Sequence, residues 1–158
     1  MAVYITPGRS KVRWMLTLST PSGPGATQIV AGVELSGALR GIPSIPRTGN
    51  LADSTDLSST FEKRVRGTVG GDALSFTLNR NTSTETAYAA MVEGVEGYLC
   101  VFRKGIAGTQ PAIGDKCDVF TGIINSVSDN TPGRNDVDSV TVEIAITDNP
   151  SRDVTLVT

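Results

Sequence analysis

Two segments of this chain alternate so strictly that a pleated strand is the only regular structure that sorts their side chains. In Ala73–Arg80, Leu74, Phe76 and Leu78 fall on one side and Ser75, Thr77 and Asn79 on the other. In Ser139–Thr147 the apolar set is Val140, Val142, Ile144 and Ile146, all even-numbered, with Thr141 and Glu143 between them. A period of two sets one face against a core and leaves the other for water or a partner. Punctuation elsewhere disfavours long helices, because 17 glycines and 8 prolines divide the 158 residues into short runs. The length suits one domain with a real core, although hydrophobic residues make up only 39%.

The remaining elements follow from the same test. Residues 1–11 read as an extended arm with a turn at Pro7-Gly8. Val12–Ser19 predicts a strand with Val12, Trp14, Leu16 and Leu18 on one face. Ser22-Gly23-Pro24-Gly25 then turns the chain into a second strand, Gln28–Leu35. Residues 36–61 form a long irregular loop that still keeps Leu39, Ile42, Ile45, Leu51, Leu57 and Phe61. A solvated linker has no use for such side chains, whereas an arm that folds onto a partner does. Glu62–Val69 predicts a charged strand, followed by a turn at Val69-Gly70-Gly71-Asp72.

The one helix signal spans about 82–97. Thr82 and Glu85 have capping-box spacing, Tyr88, Met91, Val92 and Val95 form a stripe, and Gly97 ends it. Tyr98–Lys104, Cys117–Val127 and Asp153–Val157 complete seven or eight strands. The second of these carries Val119, Ile123 and Val127, with Gly122 as a bulge. The expected fold class is mainly β: a two-sheet sandwich or small barrel with one flanking α-helix (about 82–97) and a long extended loop (about 36–61). It forms a single domain over residues 1–158.

Chemistry is sparse. With no histidine, a Ser-His-Asp triad and a Cys-His pair are excluded. Gly70-Gly71-Asp72 does not continue into a phosphate-binding loop. Cys100 and Cys117 are too few for a zinc site and read as buried free thiols of a chain folded in a reducing cytoplasm. Asp129, Asp136 and Asp138 lack the calcium-loop pattern and read as loop acids in water. Lys63, Arg64 and Arg66 do not share one strand face, so they suit an edge or an interface. No cofactor, metal or enzymatic activity is expected, and no apolar run of about 18 residues crosses a membrane.

Net charge is -2, which does not describe a nucleic-acid clamp. The charge is uneven along the chain. Residues 1–80 hold nine Lys/Arg and five Asp/Glu; residues 81–158 hold five and eleven. The halves either mix on one surface or form opposite-signed faces that meet between copies.

The stretch Ile42-Pro43-Ser44-Ile45-Pro46-Arg47-Thr48-Gly49 leads into Asp53-Ser54-Thr55-Asp56-Leu57-Ser58-Ser59-Thr60-Phe61-Glu62-Lys63. It continues through Val65-Arg66-Gly67 to Ala73-Leu74-Ser75-Phe76-Thr77-Leu78. This resembles the tail tube (major tail) proteins of long-tailed, noncontractile-tailed bacteriophages. In them a long loop containing proline and glycine runs through an Asp/Thr-Leu segment and a glycine into an alternating strand. The order of elements fits over most of the chain, residues 42–80 in detail. Nothing after Thr158 suggests the immunoglobulin-like domain some members add.

The resemblance implies a virion structural protein, folded in the host cytoplasm. It would self-assemble into hexameric rings that stack as the hollow phage tail tube, the conduit for DNA ejection. Its partners would be itself, the tape-measure protein and transiting double-stranded DNA in the lumen, and the tail terminator and tail tip proteins, with no membrane. The family's long loop reaches a neighbouring subunit or ring, a role that falls here to Ile42, Ile45, Leu51, Leu57 and Phe61. A lumen that lets DNA slide must not hold phosphates, so its wall is expected to be polar and acidic. Ser75, Thr77, Asn79, Thr141 and Glu143 are the residues expected there. The alternatives are another virion part (tail terminator or capsid decoration protein) and a β-sandwich carbohydrate-binding module, the latter disfavoured by 5% aromatics and a single Trp14.

Overall fold

The structure, a computed structural model, describes residues 9–43, 47–53, 64–71, 73–80, 82 and 85–158. The expected N-terminal arm therefore lies mostly outside the described residues. The architecture is mainly β, a curled sheet approaching a half-barrel with two short helices. The elements are β1 (Lys11–Met15), α1 (Ala26–Ala31), β2 (Val33–Glu34), β3 (Arg47–Asp53), β4 (Arg64–Gly71), β5 (Leu74–Asn79), α2 (Glu85–Ala89), β6 (Glu96–Phe102), β7 (Lys116–Asn130), β8 (Ser139–Ile146) and β9 (Ser151–Thr155). The main sheet runs β2-β1-β6-β7-β8-β5, with β9 beside the start of β7; β3 and β4 form a separate two-stranded sheet. All strand pairs are antiparallel.

Residues 35–40 strap the two ends of the curled sheet together. The Leu35 N–H donates to the Val12 carbonyl at 2.9 Å beside β1, and the Asn79 N–H donates to the Ala38 carbonyl at 2.7 Å beside β5. Inside the curl lie Val12, Trp14, Leu99, Val101, Phe120, Ile124, Val140, Val142 and Ile144, with Leu74, Phe76 and Leu78 from β5. Ala87 and Met91 pack against them from α2 and the turn after it. A second cluster covers the other face of β1, β6 and β7: Met15, Ile29, Cys100, Phe102, Cys117, Val119 and Leu156. Strand β6 is thus apolar on both faces, odd positions feeding one core and even positions the other.

Several local expectations are corrected by tertiary contacts. Of the predicted strand Gln28–Leu35, only Val33–Glu34 is strand, as β2, and its first half belongs to α1, of six residues. Six residues do not sustain a helix alone. Ile29 anchors it at 0% exposure, and the buried Arg13 guanidinium donates to the Val30 and Gly32 carbonyls at its end. Those carbonyls, with Glu34 and Gln110, accept from the two terminal nitrogens of Arg13, while its Nε is buried with no hydrogen-bond partner among the described residues. The helix expected over 82–97 shrinks to Glu85–Ala89. Residues 94–95 are drawn into pairing with β7 instead: Gly94 N–H donates to Ile124 and Ile124 N–H to Val95. Gly97 is therefore not a helix end but part of β6.

Strand β1 stops at Met15, leaving Leu16 63% exposed and Leu18 in the second cluster. Within β7 the irregularity sits at Ile124/Ser126, not at Gly122. It inverts the alternation, so Val119 joins the second cluster while Val127 packs against the first. The expected loop 36–61 contains the strap and β3. Cys100 and Cys117 are free and buried. Hydrogen bonding with Cys117, then burial, pushes the Cys100 thiol well up.

Gly97 is required by close approach. A Cβ there would stand 2.5 Å from Trp14 Cζ2 and 2.6 Å from the Met15 carbonyl oxygen. Gly97→Ala is expected to destabilise the fold by about 1–3 kcal/mol through overpacking, read as a lower urea midpoint at unchanged slope.

Candidate functional site

The β5–β8–β7 region carries its polar side chains on the face away from the core. Register aligns them in three rows: Ser75, Glu143 and Ser126; Thr77, Thr141 and Ser128; Asn79, Ser139 and Asn130. All five residues expected at a lumen wall, Ser75, Thr77, Asn79, Thr141 and Glu143, share this face. Sequence reasoning missed Ser126, Ser128 and Asn130 because it ended the strand at Val127. The Ser126-Val127-Ser128 alternation was the available signal, obscured by the bulge before it.

The rows are tied by side-chain hydrogen bonds. Asn130 Nδ2 donates to Thr141 Oγ1 at 3.0 Å and Ser139 Oγ at 3.2 Å. Asn125 Nδ2 donates to Glu143 Oε1 at 2.8 Å. At the margin, Arg40 Nε on the strap donates to Asn79 Oδ1 at 2.7 Å. Of the nine positions only Glu143 is ionisable, and none is cationic. With Arg40 at its margin as the cation bonded to it, such a face offers a polyanion few counterion-releasing contacts.

The β3–β4 ribbon is the second feature. Its backbone pairs Arg47 with Gly71 through Asp53 with Arg64. Leu51 on it is 62% exposed and Ile42 before it 39% exposed. Ile45, Leu57 and Phe61 lie outside the described residues. Isolated two-stranded ribbons are marginal in water, so this one gains from any surface that covers it.

Charges gather at the two ends of β7. At its start, Arg103 Nε pairs with Asp118 at 2.9 Å, and Lys104 and Lys116 approach Asp153 at 2.7 and 3.5 Å. With Arg152 they line a shallow cleft of about 280 Å³. At its far end, one guanidinium, Arg80, faces Glu85, Asp129 and Asp138 at 3.6, 3.9 and 4.0 Å and stacks over Tyr88. Among the described residues no group of His, Cys, Asp and Glu is arranged to hold a metal ion.

The Asp153 carboxyl is held below its ordinary range, chiefly by the hydrogen bond from Lys104. A depressed carboxylate stabilises the fold above its unfolded pKa, and that contribution fades as pH falls through the folded value. Lys104→Met is therefore expected to raise the Asp153 titration midpoint, followed by carboxyl-carbon NMR. Its stability deficit at neutral pH is expected to vanish in acid.

A family model described as phage tail tube protein matches residues 1–158. No curated protein matches the chain in sequence. Among solved structures, a chain of the six-fold symmetrised cryo-EM structure of the anti-feeding prophage baseplate is similar. Its TM-score is 0.62 at 12% identity, covering 94% of this chain and 95% of that one. A crystal structure of Hcp protein gives a TM-score of 0.37 at 13% identity, covering 87% of this chain and 88% of that one.

Proposed function

The chain belongs to the phage tail tube protein family, and from that premise we propose that six copies close into a ring, rings stack into a hollow tube, and DNA leaves the virion through it. The observation that carries the reading is the polar face of β5, β8 and β7, whose nine register-aligned positions hold no lysine or arginine, with Arg40 at its margin. Six copies contributing three such strands each make eighteen. At about 4.8 Å between strands and a tilt of about 40°, eighteen strands enclose a barrel roughly 35 Å across between backbones, large enough for an aqueous channel. Ser75, Thr77, Asn79, Thr141 and Glu143 would line it. Six-fold symmetry was also applied to the baseplate whose chain shares this fold.

The ring contact has to be heterologous and close by rotation, while the stacking contact repeats without limit. The β3–β4 ribbon with Leu51, and Ile42 at its approach, are suited to reach a neighbouring copy. The tape-measure protein would occupy the lumen before the DNA, and terminator and tip proteins would end the tube. The role is structural, not catalytic. The carbohydrate-binding alternative loses its main support because Trp14 is 1% exposed and Phe102 and Phe120 are buried in the cores. An aromatic platform would need those faces outside.

Electron microscopy of the purified full chain at rising concentration is expected to show hollow tubes with six-fold end views. Monomers at every concentration would refute the reading, and rings that never stack would point to a terminator.

In virions built with Ser75→Arg, tubes are expected to remain intact while DNA release slows, most at low salt, because the added guanidinium repeats six times in every ring. Wild-type ejection kinetics at all ionic strengths would remove Ser75 from the wall.

A further inference from the structure

We infer that the stacking contact is a charge-complementary, head-to-tail junction: the basic end of β7 in one copy receives the acidic end of β7 in the next. This rests on the tube reading above and names the surfaces that meet. Among the described residues, neither end is neutralised by its own neighbours. At the start of β7, Arg103, Lys104, Lys116 and Arg152 outnumber the carboxylates of Asp115, Asp118 and Asp153. At the far end, Glu85, Asp129 and Asp138 surround Arg80, and Arg134 and Asp136 lie in the adjoining hairpin. The surplus is thus of opposite sign at the two ends.

The separation is imposed by the longest strand of the described structure. Strand β7 has fifteen residues, a contour of roughly 45–50 Å at about 3.3 Å per residue, shortened through space by its bulge and by the curl that the 35–40 strap closes. At physiological salt the Debye length is about 8 Å, so charges further apart than that are largely screened from one another. The charged groups of both clusters are open to solvent: Asp129 is 72% and Asp138 50% exposed, Lys116 48%. A two-fold contact on either end would set like charge against like. A contact between unlike ends has no such penalty, and it leaves each copy with one satisfied and one open end, the condition for unlimited stacking. The root of the β3–β4 ribbon lies at the basic end, where Arg103 Nη2 donates to the Pro43 carbonyl at 3.2 Å.

The test is reversal of one end at a time in the full chain, with the concentration threshold for tube formation as readout and thermal melting as the folding control. Asp129→Lys with Asp138→Lys, and separately Lys116→Glu with Arg152→Glu, are each expected to raise the threshold by about tenfold or more. An equimolar mixture of the two variants is expected to co-assemble near the wild-type threshold, since every basic end again finds an acidic one. Wild-type assembly is expected to weaken between about 50 and about 500 mM NaCl. Reversed variants that assemble like wild type would overturn the proposal, as would a mixture no better than its components or wild-type assembly indifferent to salt. Wild-type protein that never assembles would instead overturn the tube reading, and this junction with it.

Discussion

A fifteen-residue strand cannot be covered by neighbours of ordinary length, and the molecule is arranged around that constraint. On one side, the first half of β7 pairs with β6. On the other, β9 covers its start and β8 its second half. The bulge between Ile124 and Ser126 lets one strand serve two cores, because it exchanges which parity points inward. Before it, Val119 packs beneath α1; after it, Val127 faces the interior of the curl. The same exchange turns Ser126, Ser128 and Asn130 outward, into register with the polar positions of β8 and β5.

The two cores divide the labour. The first holds the curl in shape, so the outer faces of β5, β8 and β7 form one continuous polar sheet. The second fastens α1 and the C-terminal segment onto the back of β1 and β6. Arg13 belongs to this fastening: a buried guanidinium is expensive, but here it satisfies helix carbonyls and binds Gln110 and Glu34. A tube subunit has reason for such rigidity, since an error in one subunit's curvature would be repeated around every ring.

Charge is organised differently from what the chain order suggests. The first half of the sequence is basic and the second acidic, yet Arg103, Lys104, Lys116 and Arg152, which build the basic cluster, all come from the second half. Arg80, at the centre of the acidic cluster, comes from the first. Antiparallel folding interleaves the halves, so the polarity runs along β7 rather than between the halves.

By itself the sequence determined the class and the polar face. Alternation in 73–80 and 139–147 is a local property, set by residue type and a period of two, and it survived folding unchanged. The phage-tail resemblance at 42–80 was likewise legible in chain order, and the whole-chain family match agrees with it. Only the tertiary structure decided that Gln28–Ala31 coils, that the helix after Thr82 stops at Ala89, that Arg47–Asp53 pairs as a strand, and that β7 continues to Asn130. In each case the local signal was weak or pointed elsewhere, and the outcome was set by contacts distant in sequence: Arg13 at the end of α1, Ile124 against residues 94–95, β4 beside β3, β8 beside the tail of β7. Burial patterns record what a segment packs against, and these segments pack against little, or against residues on which their own spacing carries no information.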